Sequence, residues 1–145
     1  MSLLQAKQGV HKLVMKVFDA HNNAAIESFV SELQAYDALQ ELQGSVIPVL
    51  HSFGRMHHTG CPAIITHWAG STVTGADFLS NDLLAAAEQG LQAMHDRRVS
   101  HGDVRLSNML LDKDRLVFCD FGQSAIDASP HDCQQDFAML AEVEQ

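Results

Sequence analysis

Apolar and polar positions alternate between two periods along this chain, and the changes of period mark its elements. Lys12-Leu-Val-Met-Lys-Val-Phe18 is rich in β-branched and aromatic residues and predicts a strand, which Leu3–Ala6 could pair across a turn near Gln8-Gly9. Asn22-Asn23 then caps a helix carrying Ile26, Phe29, Val30, Leu33 and Tyr36 at three- and four-residue spacing, with Gly44 and Pro48 marking its end. Val46–Phe53 and Ala63–Trp68 read as two short strands around the turn-rich stretch from Met56 to Gly60. A second helix starts at a cap on Ser80 or Asn81 and presents Leu83, Leu84, Ala87, Leu91 and Met94 on one face. A polar loop from Ser100 to Asn108 follows, then a strand pair (Met109–Leu111 and Leu116–Cys119), a loop, and a last helix from about Asp132. Strands and one helix come first, helices and a small hairpin second. That order predicts an α+β layout in two parts, with a hinge around Ala69–Thr74.

Composition narrows the picture. The 145 residues suit one domain, and 46% hydrophobic with 19% charged residues is a globular balance. The formal charge of −9, with no Lys or Arg from Leu116 onward, disfavours phosphate backbones and anionic lipid as partners. No apolar run reaches the roughly 20 residues of a membrane span. Met1-Ser-Leu-Leu-Gln-Ala-Lys7 is too short in apolar residues for a signal peptide core. Cys61, Cys119 and Cys133, odd in number and irregularly spaced, fit reduced thiols. An intracellular, soluble chain, placed in the cytoplasm and without nucleic-acid or membrane partners, is the expectation. His57-His58 and Cys61 lack a second ligand cluster and read as a solvated turn rather than a zinc site.

Candidate chemistry concentrates in His101-Gly-Asp-Val-Arg-Leu-Ser-Asn108 and Val117-Phe-Cys-Asp-Phe-Gly122. Two carboxylates, Asp103 and Asp120, and the amide of Asn108 stand on loops flanking one hairpin. Mg²⁺ takes hard oxygen ligands, commonly one or two carboxylates plus phosphate oxygens, and phosphoryl transfer uses a carboxylate that accepts a hydroxyl proton. Any one of these residues alone would more simply be shaping a turn. Six of them at fixed offsets resemble the protein kinase superfamily, whose catalytic loop is His-Arg-Asp-x-x-x-x-Asn followed by Asp-Phe-Gly. The matches are His101, Asp103, Asn108, Asp120, Phe121 and Gly122.

The resemblance implies a catalytic base at Asp103, metal ligands at Asn108 and Asp120, and packing roles for His101 and Phe121. Arg105 stands where serine/threonine kinases keep a Lys facing the transferred phosphate. Upstream, Lys16 in Leu13-Val-Met-Lys16 matches the Lys of the family's Val-Ala-Ile-Lys strand, and Glu32 matches its partner on the following helix. Read alone, both would be solvated surface groups. Ala63–Gly70 resembles the strand that runs into the hinge, with Thr66 as gatekeeper and the backbones of His67 and Ala69 facing an adenine edge; an apolar strand ending in a turn accounts for these residues equally well. Cys119 would line the nucleotide pocket as an ordinary buried thiol.

Three departures accompany the likeness. Gly9 is the sole glycine before Lys16, so the Gly-rich hairpin that covers the phosphates is missing. Gly102 replaces the Arg that contacts a phosphorylated activation loop in regulated kinases, and His-Gly-Asp is also the form found in aminoglycoside- and choline-type kinases. No Ala-Pro-Glu follows Asp120, and Asp136 resembles the start of the large lobe's central helix, whose Asp supports the catalytic loop. The implied fold is a two-lobed kinase-like domain, with residues 1–70 as a small lobe and 71–145 as a large lobe truncated after the start of that helix. Leu83, Leu91, Phe137 and Leu140 should then lose neighbours and leave a patch that a partner covers. The implied function is ATP- and Mg²⁺-dependent transfer of the γ-phosphate to a protein hydroxyl. A pseudokinase or truncated remnant acting as a binding module, and a small-molecule kinase, are the alternatives.

Overall fold

The computed structural model describes residues 2–5, 12–80 and 82–143. The architecture is mixed α+β, with four helices and three small antiparallel sheets among these residues. The largest sheet has the order β1-β2-β4-β3, from β1 (Ser2–Gln5), β2 (Lys12–Val17), β3 (Leu50–Arg55) and β4 (Pro62–His67). β1 does pair with β2, placing Leu3 opposite Val14, whereas the expected turn at Gln8-Gly9 lies outside the described residues. In the β2–β4 ladder Lys16 stands opposite Ile64 and Val14 opposite Thr66.

Helix α1 (Asn23–Ala38) starts where the sequence predicts, because Asn22 Oδ1 accepts the amide of Ala25 at 3.2 Å. It buries Glu32, Ala35 and Tyr36. The strand expected from Val46 begins only at Leu50. The amides of Ser45, Val46 and Ile47 all donate to the Leu42 carbonyl, so residues 45–47 curl tightly before Pro48 releases the chain into β3.

A short helix that the sequence did not predict, α2 (Gly75–Ser80), precedes the predicted second helix, which forms as α3 (Leu84–Asp96). Thr74 caps the first, its Oγ1 accepting the Asp77 amide at 3.1 Å. Ser80 is the last residue of α2 rather than a cap, its hydroxyl donating to the Ala76 carbonyl, and Asn81 lies outside the described residues. Asp82 at φ +50 reverses the chain between the two helices, and no side chain caps α3. The predicted hairpin forms as β7 (Met109–Asp112) and β8 (Arg115–Phe118), with β5 (Ser71–Thr72) added alongside β7. A two-stranded sheet that the sequence did not predict joins β6 (Val99–Ser100) to β9 (Ala125–Ile126). Helix α4 spans Pro130–Val143, its start set by Ser129 and Asp132, which bond each other's backbone amides at 3.1 and 2.9 Å.

One hydrophobic cluster extends from Tyr36, Leu39 and Ile47 through Leu91, Met94 and Phe118 to Phe121 and Leu140. Leu83, Leu91 and Leu140 are buried within it, and Phe137 is partly buried against the His95 ring. The apolar patch expected at these positions is therefore absent. Neighbours from α1, α3 and β8 supply the contacts that a longer chain was expected to provide.

Candidate functional site

Strand β2, helix α1 and the turn after β8 bring three charges together. Lys16 Nζ lies 3.0 Å from Glu32 Oε2 and 3.0 Å from Asp120 Oδ1, although residues 16 and 120 are 104 positions apart. Burial works against the Lys16 ammonium, and the Glu32 and Asp120 carboxylates outweigh it and hold its pKa above the usual value. Burial would also raise Asp120, but the adjacent ammonium wins and keeps this carboxyl below its ordinary range. Glu32, more deeply buried, is pushed up by desolvation against the pull of Lys16. At Asp120 the backbone turns with φ +63, and the Gly122 amide donates to Oδ1 at 3.3 Å.

The loop from His101 to Asn108 is pinned from below by Asp136. This fully buried carboxylate accepts the His101 amide at 2.8 Å through Oδ2 and the Gly102 amide at 2.9 Å through Oδ1, while His95 Nε2 lies 2.8 Å from Oδ2. His101 ties this loop to the next one. Its Nδ1 accepts the Asp103 amide at 3.1 Å, which leaves Nε2 protonated and donating to the Cys119 carbonyl at 2.8 Å. Burial lowers the His101 pKa, in keeping with a neutral ring that donates on one side and accepts on the other. Phe121 stacks edge-on between Tyr36 and His101, at 5.5 and 5.2 Å between ring centres.

Asn108 Nδ2 donates to the Asp103 carbonyl at 2.9 Å and to Asp103 Oδ2 at 3.0 Å; Arg105 approaches the same oxygen at 3.2 Å. No hydrogen bond among the described residues falls on Asp103 Oδ1. A cleft of about 480 Å³ lies between the large sheet and the hairpin. Lys16, Glu32, Thr66, His67, Ala69, Asn108 and Asp120 all line it. Asp103 and Arg105 do not line it; Asp103 is bonded to Asn108, which does. The strap over the cleft is fixed by the His67 amide bonding the Val49 carbonyl and the Trp68 amide bonding the Lys12 carbonyl, whereas no described carbonyl accepts the Ala69 amide.

Among the described residues, the side-chain hydrogen bonds of Asp120 fall on Oδ1 and those of Asn108 on Nδ2. One oxygen of each side chain therefore remains for a hard cation, and this donor set fits a Mg²⁺ that completes its shell with water and phosphate oxygens. No group of three or more His, Cys, Asp or Glu side chains gathers as a metal cage among the described residues. The Cys119 thiol, pushed up to about 12 first by burial and then by Asp120, is inert.

Sequence reading missed several lining residues, among them Tyr36, Trp68, Gly70 and Thr72, and it missed His95. A signal for His95 was present: with Leu91 and Met94 it continues the apolar face of α3, where a histidine needs a buried partner.

Comparisons with known proteins point the same way over short reach. No protein-family model matches the chain. A candidate serine/threonine-protein kinase of Acanthamoeba polyphaga mimivirus is 47% identical over 38 residues, which are 26% of this chain and 7% of that protein. YbdM of Bacillus subtilis, named as a probable serine/threonine-protein kinase, is 23% identical over 111 residues, 77% of this chain and 37% of its own length. The matched part is thus well under half of either relative. No helix among the described residues is long and apolar enough to cross a membrane. The sequence likeness is partial and distant, and it is a likeness to proteins named as serine/threonine kinases.

Proposed function

We propose that the chain is an ATP- and Mg²⁺-dependent phosphotransferase with a protein kinase-like two-lobed fold, residues 1–70 forming the small lobe and 71–145 belonging to the large one. The observation that carries this reading is Lys16 held at 3.0 Å from both Glu32 and Asp120 on the wall of a nucleotide-sized cleft, with Asn108 opposite. Lys16 is a fixed cation for phosphate oxygens, kept ionised by its two partners. Thr66 and the backbones of His67 and Ala69 offer a flat edge for a base. Mg²⁺, when bound, supplies charge neutralisation across the phosphates.

The remaining work belongs to the chain's own groups. Asn108 and Arg105 hold Asp103 by Oδ2, so that Oδ1 is oriented to accept the proton of an attacking hydroxyl. Arg105, largely exposed beside Asp103, is placed to meet the transferred phosphate from the acceptor side. This division of labour is positioning and charge stabilisation, which is how phosphoryl transfer is accelerated. A protein hydroxyl is the acceptor, in line with the names of both relatives. A small-molecule hydroxyl is the second reading, favoured by Gly102 between His101 and Asp103.

Transfer of labelled γ-phosphate to generic protein substrates and to amino alcohols, with the wild-type chain and Asp103→Asn, tests the proposal. Wild type should label one class, and Asp103→Asn should lose at least about a hundredfold in turnover while nucleotide affinity stays within a few-fold. Nucleotide binding without transfer to either class would leave a binding module; equal loss of binding and turnover in Asp103→Asn would remove Asp103 from its role.

A further inference from the structure

The residue between His101 and Asp103 is glycine, and the backbone around it gives the reason. Gly102 has φ +84, and a Cβ at this position would overlap the Gln123 carbonyl oxygen and lie 2.9 Å from its carbonyl carbon. Both atoms are backbone, so no rotamer change relieves the contact. Neither side is free to retreat. On the loop side, Asp136 holds the His101 and Gly102 amides at 2.8 and 2.9 Å. On the other side, Phe121 is fully buried, the Ser124 amide and hydroxyl bond the Phe121 carbonyl at 3.1 and 2.7 Å, and residues 125–126 pair with β6.

We infer that Gly102 is a positioning residue: its missing side chain lets the segment after Asp120 close directly onto the loop that carries Asp103, and the two are latched together without nucleotide and without a phosphate on that segment. The latch itself stands on geometry; its consequence for turnover rests on the phosphotransferase reading above.

Amide hydrogen exchange of the unliganded full chain tests the latch without any activity. The Ser124 amide should exchange within about tenfold of the β7–β8 amides, and addition of Mg-ATP should change it by less than about twofold. A Ser124 amide that exchanges freely and slows more than about tenfold on adding Mg-ATP would overturn the inference. Gly102→Ala is compared with Gly60→Ala, since Gly60 shares a left-handed backbone (φ +69) but has nothing within 4 Å of its would-be Cβ. Relative to Gly60→Ala, Gly102→Ala should exchange Ser124 at least about tenfold faster and turn over about tenfold slower, with nucleotide KM within about threefold. Indistinguishable behaviour of the two variants would contradict the inference. Should Gly102→Ala fail to fold, wild-type exchange decides; should the wild type transfer no phosphate, the phosphotransferase reading falls while exchange still decides the latch.

Discussion

His101 carries more structural duty than any other titratable residue of its loop, because both ring nitrogens are committed while the ring is buried. The folded chain disfavours its protonation, so its pKa is lowered, whereas the unfolded chain binds a proton at this residue near the ordinary histidine value of 6.5. The sign follows directly: the unfolded state binds more protons below 6.5, so this contribution to stability is present above that pH and is lost as pH falls through it. Urea unfolding at pH 7, 6 and 5 should show wild type losing stability more steeply than His101→Phe, by up to about 1.4 kcal/mol per pH unit. Parallel pH profiles would show that the ring is not held neutral. At this scale the sequence was informative. Asp103, Asn108 and Asp120 were singled out by their spacing, and the structure sets Asn108 and Asp120 on one cleft. What spacing could not convey is that Asp103 does not line that cleft but bonds Asn108, which does.

Among the elements, the start of helix α1 was legible, since its cap follows a local rule, whereas the helix stops at Ala38, ahead of the end expected at Gly44. It delivers Glu32 to Lys16, so weakening its start should be felt as stability rather than as a lost contact. Asn22→Ala is expected to cost about 1 kcal/mol in thermal or urea unfolding, with the cleft otherwise intact. A cost near zero would mean that packing alone sets the helix start. Where the sequence misled, non-local bonds decided the outcome. Val46 and Ile47 have strand-like side chains, yet their amides turn back to Leu42, and Val46 uses its carbonyl to hold the Phe118 amide. The β6–β9 pair was invisible for a similar reason: two residues from each side carry no period, and only the burial of Phe121 brings them together.

For the whole molecule, the cluster from Tyr36 to Leu140 makes the parts of the chain depend on each other. Phe121 sits at its crossing point, touching α1 through Tyr36 and the His101–Asn108 loop through His101. Phe121→Ala should cost about 3–5 kcal/mol, a large share of the 5–15 kcal/mol of an ordinary domain, and should lower the urea midpoint accordingly. A loss under about 1 kcal/mol would mean that the ring is not the joint between the parts. The burial of Leu83, Leu91 and Leu140 belongs to this scale too, because no sequence pattern shows that the chain's own helices and hairpin suffice to cover them.

The account as a whole depends on Lys16, Asn108 and Asp120 forming one magnesium–nucleotide cleft, and thermal unfolding with and without Mg-ATP addresses that claim most directly. A ligand that binds only the folded chain adds about 2.7 kcal/mol at a hundred times its Kd, roughly 8 °C in Tm for a chain of this size. That rise should require Mg²⁺, persist in Asp103→Asn, and vanish in Lys16→Met and Asp120→Ala. No rise at millimolar nucleotide, or a rise that both cleft variants retain, would contradict it.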